Sequence, residues 1–217
     1  MPAPLQVDRV RDALLVIDLQ PDFMPGGALA VAEGDLLVAP IAQLLPRFAT
    51  VVATQDWHPR GHASFASSHP GRAPFETLML HGSPQTLWPD HCVQGTAGAA
   101  LHAGLPMEPV SLVLRKGSRA DVDSYSAFRE NVGPGGERPP TGLAGWLRER
   151  GIRRVFVCGL ARDYCVRWSA LDGRAAGLEV VVLDDLVRSV APAAAADTTA
   201  ALSAAGVALA CSDALET

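Results

Sequence analysis

The chain has 217 residues, of which 48% are hydrophobic and 19% are charged. This length and balance predict one globular domain over residues 1–217 and exclude a wholly disordered chain. A formal net charge of −5 with scattered lysines and arginines argues against a nucleic-acid-binding surface. The apolar runs are far shorter than the roughly 20 residues of a membrane-spanning helix. We therefore expect no nucleic-acid or membrane partner, and a domain that folds alone or as a small homo-oligomer.

The N-terminal segment and the cysteines indicate the compartment. Residues 1–12 include four charged side chains and lack the apolar core and small-residue cleavage site of a secretory signal. The four cysteines are widely spaced, which predicts neither a disulfide framework nor a zinc ribbon. We expect a cytoplasmic protein.

In chain order, apolar and β-rich runs predict six strands at residues 13–17, 50–53, 111–114, 155–158, 180–183 and 207–210. Several runs are apolar on consecutive residues, as in strands buried on both faces of a parallel sheet. Helical patterns lie between them at residues 36–47, 142–150, 164–176 and 193–204. This alternation predicts an α/β fold, a doubly wound three-layer sandwich with a six-stranded, mainly parallel sheet.

The segment 58–109 predicts a long, ordered loop, because it is rich in Gly, Pro, Ser and His and shows little periodicity. Loops of that length inside a compact domain usually carry function. All six histidines of the chain fall in this segment. Because parallel sheets bind ligands at the carboxyl ends of their strands, functional side chains are expected there and in this loop.

Three reactive side chains follow predicted strands: Asp18, Lys116 and Cys165. Taken singly, each has an ordinary interpretation as a turn former, a solvated cation and a small buried hydrophobe. Neighbouring strand ends of one parallel sheet can, however, bring an acid, an ammonium and a thiol to one pocket. For the cysteines at 92, 158 and 211 we keep the ordinary interpretation.

The position of Cys165 at a predicted helix start favours chemistry, because the positive end of the helix dipole lowers the pKa of a thiol there. In this hypothesis Cys165 attacks a carbonyl, and Asp18 takes the thiol proton and later passes it to the leaving amine. Lys116 holds and orients the carboxylate. The backbone N–H groups of Ala161 and Cys165 are the predicted donors to the oxyanion.

A second group of residues predicts a metal site. Asp56 and His58 are two residues apart in an extended segment, so their side chains point the same way, and His91 supplies a third ligand from the long loop. A carboxylate with imidazoles suits zinc, iron or manganese. His62 is either a further ligand or a partner of one.

Five segments resemble the motifs of isochorismatase-like cysteine hydrolases, and of their nicotinamidase branch in particular. The segments are LVIDLQPDF (15–23) with GGAL (26–29), TQDWHP (54–59) with His62 and Ser64-Phe65, LWPDHCVQGT (87–96), RKG (115–117) with DSYSAF (123–128), and GLA (159–161) with DYCV (163–166). They span most of the chain in the order found in the family. One segment alone is a weak signal, but five in register are highly specific.

The resemblance implies a metal-containing amidohydrolase that converts nicotinamide to nicotinate and ammonia through a thioester, and that also accepts pyrazinamide. It implies a catalytic triad of Asp18, Lys116 and Cys165. It further implies that one divalent transition metal, zinc with iron or manganese as alternatives, is held by Asp56, His58 and His91.

The resemblance also implies how the substrate is bound. It predicts a cis peptide bond before Ala161 at the oxyanion turn. It predicts aromatic walls for a pyridine ring formed by Phe23, Trp88, Tyr125 and Tyr164.

Two residues depart from the family pattern: Pro21 stands where many relatives have Asn, and Arg162 stands where Thr is common. Neither is a triad or metal position, so the departures affect fine specificity. We expect Arg162 to point to solvent, the usual outcome for arginine, rather than to add charge near the thiolate.

Three alternative functions fit the same fold. An isochorismatase or an N-carbamoylsarcosine-type amidohydrolase is disfavoured by the Asp-His-His metal motif. A non-catalytic binding protein is disfavoured because all three triad residues are present.

Overall fold

A computed structural model describes residues 5–216 of the chain. Residues 1–4 of the segment predicted to lack a secretory signal lie outside it. The strands are β1 (Leu5–Gln6), β2 (Asp12–Ile17), β3 (Thr50–Asp56), β4 (Thr77–Leu80), β5 (Ser83–Thr86), β6 (Leu112–Lys116), β7 (Arg154–Leu160), β8 (Glu179–Arg188), β9 (Ala208–Ala210) and β10 (Leu215–Glu216). The α-helices are α1 (Val38–Leu44), α2 (Leu143–Glu149), α3 (Arg167–Ala175) and α4 (Ala195–Ala204). None of the helices in this part of the chain is long and apolar enough to cross a membrane.

Six strands form one parallel sheet in the order β6-β3-β2-β7-β8-β9. The predicted doubly wound α/β fold is confirmed, and each of the six predicted strands lies in this sheet. Short helical turns at 34–37 and 45–47 flank α1, so the predicted helix at 36–47 is a composite of three pieces.

The sheet is covered on both faces. Along β2, which is buried throughout, Leu14 and Val16 belong to the core that includes residues of α1. Leu15 and Ile17 alternate with them and belong to the core that includes residues of α2, α3 and α4. Burial on both faces explains why the strand reads as a continuous apolar run.

The long loop predicted at 58–109 is ordered by backbone pairing. It contains the antiparallel hairpin of β4 and β5, which the sequence did not predict. His58 N–H donates to the Cys92 carbonyl at 2.9 Å, and Gln94 N–H donates to the His58 carbonyl at 2.8 Å. This bridge brings the segment that carries His91 against the end of β3.

The helix predicted at 164–176 begins differently from the prediction. Residues Arg162–Val166 form a π-helical turn that leads into α3. Val166 N–H donates to the Ala161 carbonyl at 3.0 Å, which closes this wider turn. Cys165 therefore lies inside a helical turn rather than at the first residue of an α-helix.

Candidate active site

Four adjacent strands deliver the predicted reactive residues to one edge of the sheet. Asp18 follows β2, Asp56 ends β3 and Lys116 ends β6, while Cys165 lies five residues beyond the end of β7. Because the strands are parallel neighbours, their carboxyl ends meet. The structure thus brings together the three triad candidates and one metal-ligand candidate.

Lys116 is the centre of this cluster. Its Nζ lies 2.8 Å from Asp18 Oδ2, 2.9 Å from Asp56 Oδ1 and 3.4 Å from Cys165 Sγ. It also donates to the Ser124 carbonyl at 3.0 Å. Burial lowers the pKa of Lys116, but the charges of the two carboxylates outweigh it and hold that pKa well above its ordinary value. The buried ammonium therefore stays charged and links the acid, the thiol and the metal-site carboxylate.

Asp18 is fully buried and has a left-handed backbone conformation, with φ of 47°. Thr54 Oγ1 donates to Asp18 Oδ1 at 2.6 Å and accepts from the Asp18 N–H at 3.1 Å. Among the described residues, Oδ2 has the ion-pair contact with Lys116 but no aligned hydrogen bond. Burial raises the pKa of Asp18 above its ordinary value, against the charge of Lys116. Oδ2 is therefore the oxygen placed to accept a proton.

Thr54 was not predicted as a site residue. Its signal in the sequence is its position in the TQDWHP segment, two residues before Asp56 on the same strand. Alternation along a strand places residues 54 and 56 on the same side.

The predicted activation of Cys165 by a helix dipole is wrong. Burial raises the pKa of the Cys165 thiol well above its ordinary value; Lys116 opposes this rise, and Asp18 and Asp56 add to it. The sequence did not reveal that the side chain would be removed from water inside a turn that is not α-helical. This direction favours the protonated thiol, which a neighbouring base would have to activate.

The predicted metal ligands also lie together. Asp56 Oδ2 is 2.9 Å from His58 Nε2 and 3.4 Å from His91 Nε2. Ligand atoms of all three buried residues lie within 4.8 Å of one another.

Hydrogen bonds fix the orientation of both imidazoles. His58 Nδ1 lies 3.0 Å from the Gly117 carbonyl, and His91 Nδ1 lies 2.8 Å from the Pro89 carbonyl. A carbonyl only accepts, so each Nδ1 carries a proton, and each Nε2, directed at Asp56 Oδ2, is the nitrogen that could ligate a metal. One carboxylate and two such imidazoles, with room for further ligands, fit a divalent transition metal.

His62 lies beside this donor set. Its ring centroid is 4.3 Å from that of His58. Its Nδ1 is 2.7 Å from Ser64 Oγ and its Nε2 is 3.2 Å from the Val122 carbonyl. Both ring nitrogens are occupied, which favours a supporting role over ligation.

The five residues predicted to bind substrate line one cavity, which also exposes the nucleophile and two metal-ligand candidates. Its lining comprises Phe23, Leu29, Asp56, Trp88, His91, Asp123, Tyr125, Ala161, Tyr164, Cys165 and Val190. Trp88 packs edge-on against Tyr164, with ring centroids 4.7 Å apart, and donates from Nε1 to the Tyr125 hydroxyl at 3.2 Å. Leu29, Asp123 and Val190 were not predicted as pocket residues; Leu29 and Asp123 lie in the quoted segments 26–29 and 123–128, whereas Val190 lies in none.

The turn before the nucleophile has the backbone form that the resemblance implied. The Leu160–Ala161 peptide bond is cis. Ala161 also lines the cavity beside Cys165.

The expectation that Arg162 points to solvent is wrong. Its side chain is buried and donates to Asp184 Oδ1 at 2.7 and 3.1 Å, and to Thr199 Oγ1 at 2.9 Å. The physical reason is the carboxylate that extended β8 places beside it. Arg162 thereby ties the turn that carries the nucleophile to β8 and α4.

Comparison with known proteins agrees with this geometry. The Isochorismatase domain model matches residues 12–214. The chain is 49% identical to the nicotinamidase of Acinetobacter baylyi over 178 residues, which cover 82% of this chain and 81% of that protein.

Two solved structures are similar along nearly the whole chain. L. infantum PnC1 in complex with nicotinate has a TM-score of 0.85 and 44% identity, covering 98% of each chain. The pyrazinamidase of Pyrococcus horikoshii in complex with zinc has a TM-score of 0.75 and 35% identity, covering 93% of this chain and 99% of that chain. The resemblance found in the sequence is thus confirmed, and the chain belongs to the isochorismatase family.

Proposed function

We propose that this protein is a nicotinamidase, a cysteine amidohydrolase that converts nicotinamide to nicotinate and ammonia through a thioester on Cys165. The observation that carries the proposal is one cavity that joins an aromatic lining, a thiol held by an acid and an ammonium, and a buried Asp-His-His donor set. The names of similar proteins, nicotinamidase and pyrazinamidase, support the same chemistry.

The first half of the reaction acylates the enzyme. Asp18 Oδ2 accepts the thiol proton, and Cys165 Sγ forms a bond to the amide carbonyl carbon. The N–H groups of Ala161 and Cys165 donate to the oxygen of the tetrahedral intermediate. Asp18 then gives its proton to the amide nitrogen, the C–N bond breaks, and ammonia leaves a nicotinoyl thioester.

The second half returns the free enzyme. Asp18 accepts a proton from a water molecule whose oxygen bonds to the thioester carbonyl. The C–S bond breaks, the proton on Asp18 returns to Cys165, and the product leaves as nicotinate after its carboxyl proton passes to solvent. Lys116 remains charged throughout and holds Asp18 in place, because its Nζ contacts both the carboxylate and the sulfur.

In this proposal Asp56, His58 and His91 hold one divalent metal, with zinc the first choice and iron or manganese the alternatives. When bound, the ion would act as a Lewis acid toward the pyridine nitrogen and would thereby orient the ring. Phe23, Trp88, Tyr125 and Tyr164 enclose that ring. Pyrazinamide keeps a ring nitrogen in the same place relative to the amide, so it is a second substrate. A zinc complex of the similar pyrazinamidase supports the choice of metal.

The proposed setting is the cytoplasm, where a catalytic thiol stays reduced. All four cysteines, which lie within the described residues, are free thiols. Assembly into a small homo-oligomer remains part of the proposal.

A substrate comparison tests the proposed function. Ammonia release from nicotinamide, pyrazinamide and N-carbamoylsarcosine is measured beside the consumption of isochorismate. We expect kcat/KM for nicotinamide to exceed that for N-carbamoylsarcosine by at least about 100-fold, because only the pyridine amide matches ring walls and metal together. Preferential turnover of isochorismate or N-carbamoylsarcosine would reassign the activity, and no turnover at all would favour a binding protein.

A further inference from the structure

The side chain of Gln20 forms three buried hydrogen bonds, two of them to the backbone of Asp56. Gln20 Oε1 accepts from the Asp56 N–H at 2.7 Å, and Nε2 donates to the Asp56 carbonyl at 2.8 Å. Nε2 also donates to the Ala99 carbonyl at 2.8 Å. Gln20 has no exposed surface.

These contacts continue the sheet where the strand itself has ended. On one side, Asp56 of β3 is in register with Lys116 of β6. On the other side, the last registered pair between β2 and β3 is Val16 with Ala53, three residues before Asp56. The amide of Gln20 supplies one acceptor and one donor in place of the missing strand. Asp56 is thus held by backbone pairing on one side and by a side chain on the other.

This clamp determines where the two carboxylate oxygens of Asp56 point. Oδ1 faces the ammonium of Lys116 and Oδ2 faces the Nε2 atoms of the two histidines. Rotation of the Asp56 backbone would break both arrangements at once. An amide that holds the N–H and the C=O of one residue removes that rotation.

We infer that Gln20 is a positioning residue for the metal site, acting through the backbone of Asp56. It touches neither the proposed substrate nor the metal. The inference rests on the proposed metal ligands, and it adds a determinant of metal affinity that lies on the same loop as the catalytic acid.

Gln55 provides a matched control. It is also a buried glutamine, and its Nε2 donates to the same Ala99 carbonyl at 2.8 Å. Its Oε1 accepts from Arg115 rather than from Asp56. Replacing either glutamine by methionine removes one buried side-chain amide and keeps a side chain of similar size. Only Gln20→Met removes the hydrogen bonds to the Asp56 backbone.

The experiment measures the zinc affinity of chelator-stripped wild type, Gln20→Met and Gln55→Met, by titration against a competing chelator. We expect Gln20→Met to weaken zinc binding by about 10- to 100-fold, as is usual when a supporting hydrogen bond of a metal ligand is lost. Gln55→Met should stay within about threefold of wild type. At limiting zinc, Gln20→Met should turn over substrate more slowly than wild type. At saturating zinc, its turnover should approach the wild-type value.

Equal zinc affinities in Gln20→Met and Gln55→Met would overturn the inference, whereas a wild type that binds no zinc would overturn the proposed metal site itself. If Gln20→Met does not fold, Gln20→Asn replaces it. The shortened amide stays polar but cannot reach Asp56 and Ala99 together, so the same loss of affinity is expected with a melting temperature near that of wild type.

Discussion

At the scale of single residues, the main feature of the site is the pairing of buried charged groups. Two buried carboxylates and a thiol surround the ammonium of Lys116. A buried charge is costly unless it is paired, so the two carboxylates stabilise the charged form of Lys116, and Lys116 in turn favours the charged forms of Asp18 and Asp56. Thr54 donates to Asp18 Oδ1 and Lys116 lies against Oδ2, so the orientation of the Asp18 carboxylate is fixed.

Removal of the thiol should separate nucleophile from scaffold. Cys165→Ala is expected to lower kcat by at least about 10⁴-fold while nicotinamide binding persists, because ring contacts do not involve sulfur. Cys158→Ala is the control, since Cys158 is also buried, in β7, but does not line the cavity. Turnover by single-turnover kinetics and binding by calorimetry give the two readouts. A Cys165→Ala enzyme that still releases ammonia at a tenth of the wild-type rate would contradict the thiol mechanism.

The sequence predicted the residues that carry chemistry better than the residues that hold them. Asp18 and Lys116 could be recognised because they stand at the ends of apolar strands, and Cys165 because it lies a few residues beyond another such strand, at a predicted helix start. Thr54 and Gln20 lie in the quoted segments, but their roles could not be predicted because each depends on a hydrogen bond to a group far away in the chain. The direction of the Cys165 pKa was also beyond reach, since it depends on burial in the folded state.

At the scale of elements, the positions at which strands end determine which side chains meet around the site. The predicted strand at 180–183 extends as β8 to Arg188, with a shift of register relative to β7 after Val157. Asp184 and Asp185 lie beyond the predicted strand, but both belong to β8 and have exposed side chains. The extension places Asp184 within reach of Arg162, and this is why the arginine is buried.

The turn after β6 depends on a glycine. Gly117 has φ of +64°, and a Cβ there would lie 2.4 Å from His58 Cε1 and 2.6 Å from His58 Nδ1. Gly117→Ala must therefore strain the left-handed backbone and push the His58 ring away from Asp56. We expect a stability loss of about 1–3 kcal/mol and a KM for nicotinamide raised at least about tenfold.

Gly71→Ala separates these two effects. Gly71 has φ of +79°, but nothing lies within 4 Å of a Cβ built on it. The control should lose a similar backbone contribution of about 1 kcal/mol while its KM stays at the wild-type value. Thermal unfolding and steady-state kinetics measure both quantities. An unchanged KM in Gly117→Ala would mean that the position of His58 does not matter for substrate binding.

At the scale of the whole molecule, a parallel sheet covered on both faces leaves one open edge for chemistry. Hydrophobic packing on the two faces and backbone pairing hold β2, β3, β6 and β7 side by side. Their carboxyl ends therefore stay together. The long loop closes over that edge and contributes Trp88 and His91 to the cavity. The sheet could be predicted from hydrophobic runs, but the folding of the loop could not, because its order comes from irregular backbone pairing.

A titration with pyridine-3-carbaldehyde addresses nucleophile, oxyanion donors and ring site together. The aldehyde keeps the ring nitrogen of nicotinamide but has no leaving group, so Cys165 should add to it reversibly and form a thiohemiacetal whose oxygen faces the Ala161 and Cys165 N–H groups. We predict tighter binding than nicotinamide by wild type, and at least about 100-fold weaker binding by Cys165→Ala. Equal affinity of the aldehyde for the two proteins would show that no covalent adduct forms and would contradict the proposed mechanism.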